Sequence, residues 1–322
     1  MSEKSSTVTA QDDVLIKKVV RKLIPFLFFL YIIAYLDRVN VNFAKLEMPW
    51  FSSSQYAFGA GIFFIAYFIF EVPSNLVMRK VGAKKWIARI MFTWGIIAML
   101  FIYVKDNYPL FVSLRFLLGI AEAGFFPGVL LYLTTWFTSK ERAKMVSLFM
   151  TANAVTLSLG SPLSGLLIDR GPLFGLAGWQ QMFLFEALPA VIMSGVVLWY
   201  LPNGPEDAKW LTTAEKAVIQ RRLADDHANL DRLAQGLAEA NRSHPVLKDK
   251  ITVLPWQTNI LFTDLHAEVA PAFTAWLAQH GVRVTSSLYG GATRLRWVTH
   301  LDVSEEDVTA ALDCVARFTL PG

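Results

Sequence analysis

The chain has 322 residues, 54% of them hydrophobic, with a mean hydropathy of +0.41 and a formal net charge of +4. That is too apolar for a soluble protein of this length. The single cysteine, Cys314, excludes an internal disulfide, and a lone thiol is more often a small core residue than a nucleophile. The positive balance is no nucleic-acid footprint, because residues 227–322 alone carry 8 basic against 10 acidic residues. All nine methionines lie at or before Met193 and all five histidines at or after His227. This partition points to two unlike proteins in one polypeptide, a membrane-embedded block and a soluble tail.

Residues 1–22 are polar and end in the basic cluster Lys17–Lys22. No cleavable signal precedes the first apolar run, so that run is expected to serve as its own insertion signal. A span needs about 20 mostly apolar residues. Six segments qualify: 23–44, 58–78, 86–104, 108–137, 145–168 and 182–201. Most of the lysine and arginine sits in the first segment, at Arg79–Lys85, at Lys140–Lys144 and after Leu201. The intervening loops hold only Lys45, Lys105 and Arg170. The positive-inside bias then predicts a multi-pass inner-membrane protein with both termini cytoplasmic.

Ionisable groups within spans are the informative residues, since each costs about 2.5–3.5 kcal/mol at a helix centre. Span one holds Asp37 and Arg38 inside Tyr35-Leu36-Asp37-Arg38-Val39-Asn40. Span four holds Arg115 and Glu122, seven residues apart and so on one helical face, with Gly119 and Ala123 on or near that face. Glu71 in span two and Glu186 in span six are further buried acids, less distinctive among bulky apolar neighbours. Gly124 and Gly128 make a small-xxx-small step, and Pro162 favours a bend in span five. Paired charges could be mere locks between helices. Their place on spans one and four, corresponding positions of two three-helix repeats, points instead to a mid-membrane site.

These residues, with Glu71-Val72-Pro73-Ser74-Asn75-Leu76, Val81-Gly82-Ala83-Lys84-Lys85-Trp86 and Leu201-Pro202-Asn203-Gly204-Pro205-Glu206, carry a resemblance. Over residues ~15–222 the chain resembles the amino-terminal half of the major facilitator superfamily, specifically the anion:cation symporters of sugar acids, tartrate and related organic anions. The family's loop signature has Gly and Asp where this chain has Asn75 and Arg79. The resemblance implies a six-helix bundle in which Arg38 pairs with a substrate carboxylate, with Tyr35 and Arg115 also at the substrate. Asp37 and Glu122 would couple transport to protons, Arg115 restraining Glu122. Desolvation favours a neutral carboxyl and a nearby guanidinium an ionised one, so a moving arginine can switch proton affinity. The planar guanidinium suits a carboxylate substrate.

In the tail, Thr212–Glu215 reads as a capping box opening a helix toward Ala240. Residues 259–265 alternate like a strand, and 267–280 read as a helix closed by Gly281. Residues 282–286 and 294–299 read as strands about a Tyr289-Gly290-Gly291 turn. Ser304–Asp307 caps a last helix to Phe318. The expectation is a small α/β layer of two or three strands with helices on one face. The strings His227–Ala234, Gln257–Phe262 and Arg294–Ser304 resemble the small carboxy-terminal domain of low-specificity L-threonine aldolase or phenylserine aldolase, which use pyridoxal phosphate. By that resemblance Arg296 is a vestigial contact for a substrate α-carboxylate, while His300 reads as a packed strand-end imidazole. Residues 1–221 cannot supply the phosphate cup and Schiff-base lysine such enzymes need, and Lys248 and Lys250 lack the surrounding motif. The tail is therefore expected to be non-catalytic, with neither cofactor nor metal.

The domain reading is a cytoplasmic segment 1–22, six spans over 23–202, a linker 203–226 containing the crossover, and the aldolase-like module 227–322. The expected partners are a small organic anion, protons and the lipid bilayer, with no nucleic acid. Six helices enclose one side of a two-sided cavity, which a homodimer or a second six-helix half would complete. Two other readings stay open, a membrane-tethered aldolase fragment that uses pyridoxal phosphate and an inactive hybrid.

Overall fold

The computed structural model describes residues 2–169, 172–255, 260–289, 292–298, 303 and 305–320. The chain divides into two compact units, Met1–Trp136 with Lys144–Thr212, and Phe137–Ala143 with Thr213–Gly322.

The first unit is helical. It contains α1 (Ser2–Ala44), α2 (Ser53–Val81), α3 (Ala83–Met99), α4 (Tyr108–Glu122), α5 (Phe125–Leu133), most of α6 (Ser139–Asp169) and α7 (Gly178–Tyr200). Six stretches are long and apolar enough to cross a membrane: Asp12–Ala44, Ser53–Val81, Ala83–Tyr103, Tyr108–Leu133, Glu141–Asp169 and Gly178–Tyr200. They coincide with the six apolar runs of the sequence. α1 runs without a break from the polar amino-terminal segment into the first span. α2 starts at a capping box between Ser52 and Gln55 and stops at Gly82, whose φ of +95° suits glycine.

Span four departs from expectation. The sequence reads as one run over 108–137, but the helix ends at Glu122 and restarts at Phe125. Gly124 adopts a left-handed φ of +89°, and the pocket for a Cβ there is filled by Ser74 of α2. Gly119 likewise abuts the Phe63 carbonyl, and Gly128 the Met78 sulfur. Three glycines thus let span four lie directly against α2, and the middle one also breaks it.

In the second unit, α8 (Thr213–Ser243) sets Leu230, Leu233, Ala234 and Leu237 on one stripe. That stripe belongs to a core shared with a four-stranded antiparallel sheet ordered β1-β2-β4-β3. The strands are β1 (Ile251–Val253), β2 (Ile260–Leu265), β3 (Thr285–Tyr289) and β4 (Ala292–Val298). Alternation turns Leu261, Thr263, Leu265, Leu295 and Trp297 inward, and the Trp297 indole donates to the Thr263 hydroxyl at 2.9 Å. Helices α9 (Ala270–Gln279) and α10 (Glu305–Ala316) add Phe273, Leu277, Val308 and Val315 to that core. Gly281 follows α9 with φ +80°. Four strands form where two or three were expected, because the three residues of β1 are too few to show alternation. Gln257–Asn259, Gly290–Gly291, Thr299, His300 and Ser304 lie outside the described residues.

Candidate functional site

Asp37 and Arg38 are adjacent on α1, so their side chains leave the helix about 100° apart and meet different neighbours. The Arg38 guanidinium reaches span four, where its Nη2 and Nε donate to Oε2 of Glu122 at 3.0 and 3.3 Å. It also lies over the rings of Tyr67 and Phe63 of α2, at 5.0 and 5.6 Å from their centroids. Asp37 turns toward α3, where the Trp94 indole donates to its Oδ2 at 2.7 Å. Its Oδ1 has no hydrogen-bond partner among the described residues.

Arg115 is placed differently from the sequence expectation. Its Nε donates to the Gly59 carbonyl at 3.1 Å, and its guanidinium lies 4.7 Å from the Phe63 centroid. The residue hydrogen-bonded to Glu122 is Arg38, and Arg115 acts on Glu122 through space rather than by direct contact. Seven helical residues rise about 10.5 Å, so a shared face does not bring two such side chains into contact. The two guanidiniums instead flank one aromatic ring. Tyr35 is half-buried and packs 6.3 Å from Tyr31, which in turn meets Phe126 and Phe149.

The structure thus brings Arg38 and Arg115 to the Phe63 ring and Glu122 to Arg38, and turns Asp37 of α1 away toward Trp94 of α3. Sequence reasoning missed Gly59, Phe63, Tyr67 and Trp94. The first three recur at intervals of four on span two and so form one stripe. That spacing was the available signal. Trp94 offered none, being one of ten tryptophans in the chain.

Exposure separates the members of the ion pair. The Arg38 side chain is 25% exposed, and Glu122 only 1%. A solute can reach the guanidinium without reaching the acid behind it. The second oxygen of Glu122 also lacks a partner. An anion competing for Arg38 would strip Glu122 of its counter-charge, and a proton on Glu122 would free Arg38.

In the second unit, Arg296 is exposed on the open face of the sheet, opposite Phe262 of β2 and Thr285 of β3. That face is mixed rather than apolar. It carries Phe262 and Val298, each 38% exposed, beside the Asp264–Arg294 ion pair. Lys250 pairs with Glu268 at 3.2 Å. Cys314 is buried in the helix–sheet core, and burial pushes its thiol up from its ordinary value.

An apolar six-helix bundle with buried guanidinium–carboxylate chemistry defines a membrane-transporter class of fold. The Major Facilitator Superfamily model matches residues 27–298, and the chain belongs to that superfamily. It is 48% identical over 235 residues to a protein of Agrobacterium vitis named "Putative tartrate transporter", covering 72% of this chain and 52% of that one. It is 35% identical to the "Inner membrane transport protein RhmT" of Escherichia coli K12, over 91% of this chain and 67% of the relative. The chain spans about half the length of the first curated relatives it matches. Among solved structures, a double-tryptophan mutant of XylE superposes with a TM-score of 0.50 at 15% identity, over 70% of this chain and 54% of that one, a likeness of fold alone. The family match runs past the six spans into residues that form the sheet here.

Proposed function

We propose that residues 23–202 form a six-helix half of a proton-coupled organic-anion symporter, whose substrate is a small carboxylate such as tartrate or a sugar acid. The observation that carries this reading is the Arg38–Glu122 pair, a partly exposed cation held by a fully buried acid. The relatives' printed names supply the substrate class. In this scheme the substrate carboxylate takes the fork of Arg38, and Arg115 and Tyr35 border the anion. Glu122 takes up a proton as it loses its partner, and Asp37 is the second coupling acid.

The module from residue 227 we read as similar to the small domain of threonine aldolases and as non-catalytic, with Arg296 a vestigial carboxylate contact. What supports this is the run of strands and helices around Arg294–Val298, together with six membrane helices where such an enzyme carries its cofactor domain.

Calorimetry of tartrate binding to the purified chain, in buffers of different ionisation enthalpy, tests the main reading. Binding should be accompanied by net proton uptake, and Arg38→Ala should weaken it by at least tenfold, about 1.4 kcal/mol. Absence of binding, or binding that takes up no proton and ignores Arg38→Ala, would overturn the proposal.

A further inference from the structure

The buried charges of the bundle do not balance. Three acids, Asp37, Glu122 and Glu186, are each 1–2% exposed. The nearby cations are Arg38 and Arg115. Arg38 is committed to Glu122, and Arg115 spends its Nε on the Gly59 carbonyl. Asp37 and Glu186 are left without a cationic partner among the described residues. An ionised carboxylate in such a place costs several kcal/mol unless it is neutralised.

Glu186 lies on α7, and its surroundings are specific. The Ser164 hydroxyl of α6, fully buried, donates to Glu186 Oε1 at 2.6 Å. Glu186 Oε2 lacks a partner in full hydrogen-bond geometry among the described residues. Asn40 of α1, 1% exposed, lies within interaction range of the same carboxylate, although its amide atoms do not reach full hydrogen-bond geometry with any described residue. Asn40 follows Asp37 by three residues, one turn along the same side of α1, and the Glu186 carboxylate lies within electrostatic reach of Asp37. Three polar side chains that each keep an unpartnered atom, Asp37, Asn40 and Glu186, all more than nine-tenths buried, thus converge from α1 and α7.

The other elements packed on α7 add no counter-charge. On α3, Trp94 serves Asp37, and Arg89 is engaged with Thr93 and the Trp86 ring. The 3-10 turn Leu100–Tyr103 offers only Tyr103, which is 64% exposed.

We propose that Glu186 is a further proton-binding acid of the bundle, with Ser164 and Asn40 as its positioning residues and Asp37 as the acid linked to it. The proton comes from water and binds Oε2, the oxygen without a partner. Oε1 keeps the Ser164 hydroxyl. The new O–H can donate to the Asn40 amide oxygen, which satisfies two orphaned atoms at once. With the proton in place, Asp37 and Glu186 stop repelling each other, so loading one acid governs loading of the other. This rests on the proton-coupled reading only for its use in transport; the protonation itself is independent of substrate.

Infrared difference spectroscopy of the purified full chain, titrated without substrate, tests it. At neutral pH the C=O stretch of a protonated buried carboxyl should be present. Glu186→Gln should remove one component of that band, and Ser164→Ala should move the same component to higher frequency as one hydrogen bond is lost, while Asp37 accounts for a component that neither variant moves. Glu122→Gln should leave the band in place, since Arg38 already neutralises Glu122. A band that loses no component in Glu186→Gln and ignores Ser164→Ala, or that disappears in Glu122→Gln, would overturn the assignment. Should Glu186→Gln fail to fold, the Ser164→Ala shift decides. Loss of proton uptake on tartrate binding would by contrast sink only the transport reading.

Discussion

Each unit of this chain contains an arginine–carboxylate pair, and the two pairs differ in what surrounds them. In the bundle, Arg38 meets Glu122 at 3.0 Å, with the acid 1% exposed. In the sheet, Arg294 grips Asp264 more closely, at 2.6 and 2.7 Å, yet both side chains are about a quarter exposed. Distance alone would rank the sheet pair as the stronger. Desolvation reverses the order: a surface pair is worth about 0–1 kcal/mol, whereas removing one partner of a buried pair costs about 3–5 kcal/mol. The bundle keeps its charge where breaking a pair is expensive. The sheet carries its charge on an open face and derives its order from Phe273, Trp297 and the leucines beneath.

Arg38→Ala should therefore be the most damaging change in the bundle, destabilising it by about 3–5 kcal/mol in detergent titrations. The urea-induced unfolding of the second unit should not move. A comparable loss in both units would break the distinction. Phe273→Ala should cost the second unit about 3–5 kcal/mol, through the cavity it leaves among Leu277, Trp276 and Phe318, without touching the detergent transition. Gly124→Ala comes next, at about 1–3 kcal/mol, because it forces a Cβ into Ser74 at a left-handed backbone. Wild-type stability of that variant would show that span four is straight.

The smallest effect belongs to Asp264→Asn, below about 1 kcal/mol at neutral pH. Hydrogen bonds from Arg294 hold the Asp264 carboxyl below the usual carboxylate range. Its contribution is complete above the ordinary carboxylate pKa of about 3.9 and fades as pH falls through the lowered folded value. The wild type should accordingly lose more urea stability than the variant on acidification below about pH 4. Parallel acid limbs would show that the pair contributes nothing.

All six spans were legible in the sequence because a run of about 20 apolar residues has few other uses. The break at Gly124 was not, since a glycine in a membrane helix serves equally to pack or to turn. Positions 37, 38, 115 and 122 stood out by the cost of burying charge, but that cost does not say which acid meets which base. Only the placement of span one against span four assigns Arg38 to Glu122, and only α3 supplies Trp94. Glu186 was visible as a buried acid; its unpartnered oxygen and its neighbours Ser164 and Asn40 come from three different helices. In the tail, the strands at Ile260–Leu265 and Ala292–Val298 followed from alternation, and β1 was too short to see.

The measurement that tests the account most directly is a double-mutant cycle on Arg38 and Glu122, read as unfolding free energy of the bundle in detergent. If the two neutralise each other as the geometry requires, Glu122→Gln added to Arg38→Ala should recover most of the loss, with a coupling of about 2–3 kcal/mol, within the range found for residues in direct contact. Additive losses, with no coupling between the two positions, would contradict the buried pair and the exchange chemistry built on it.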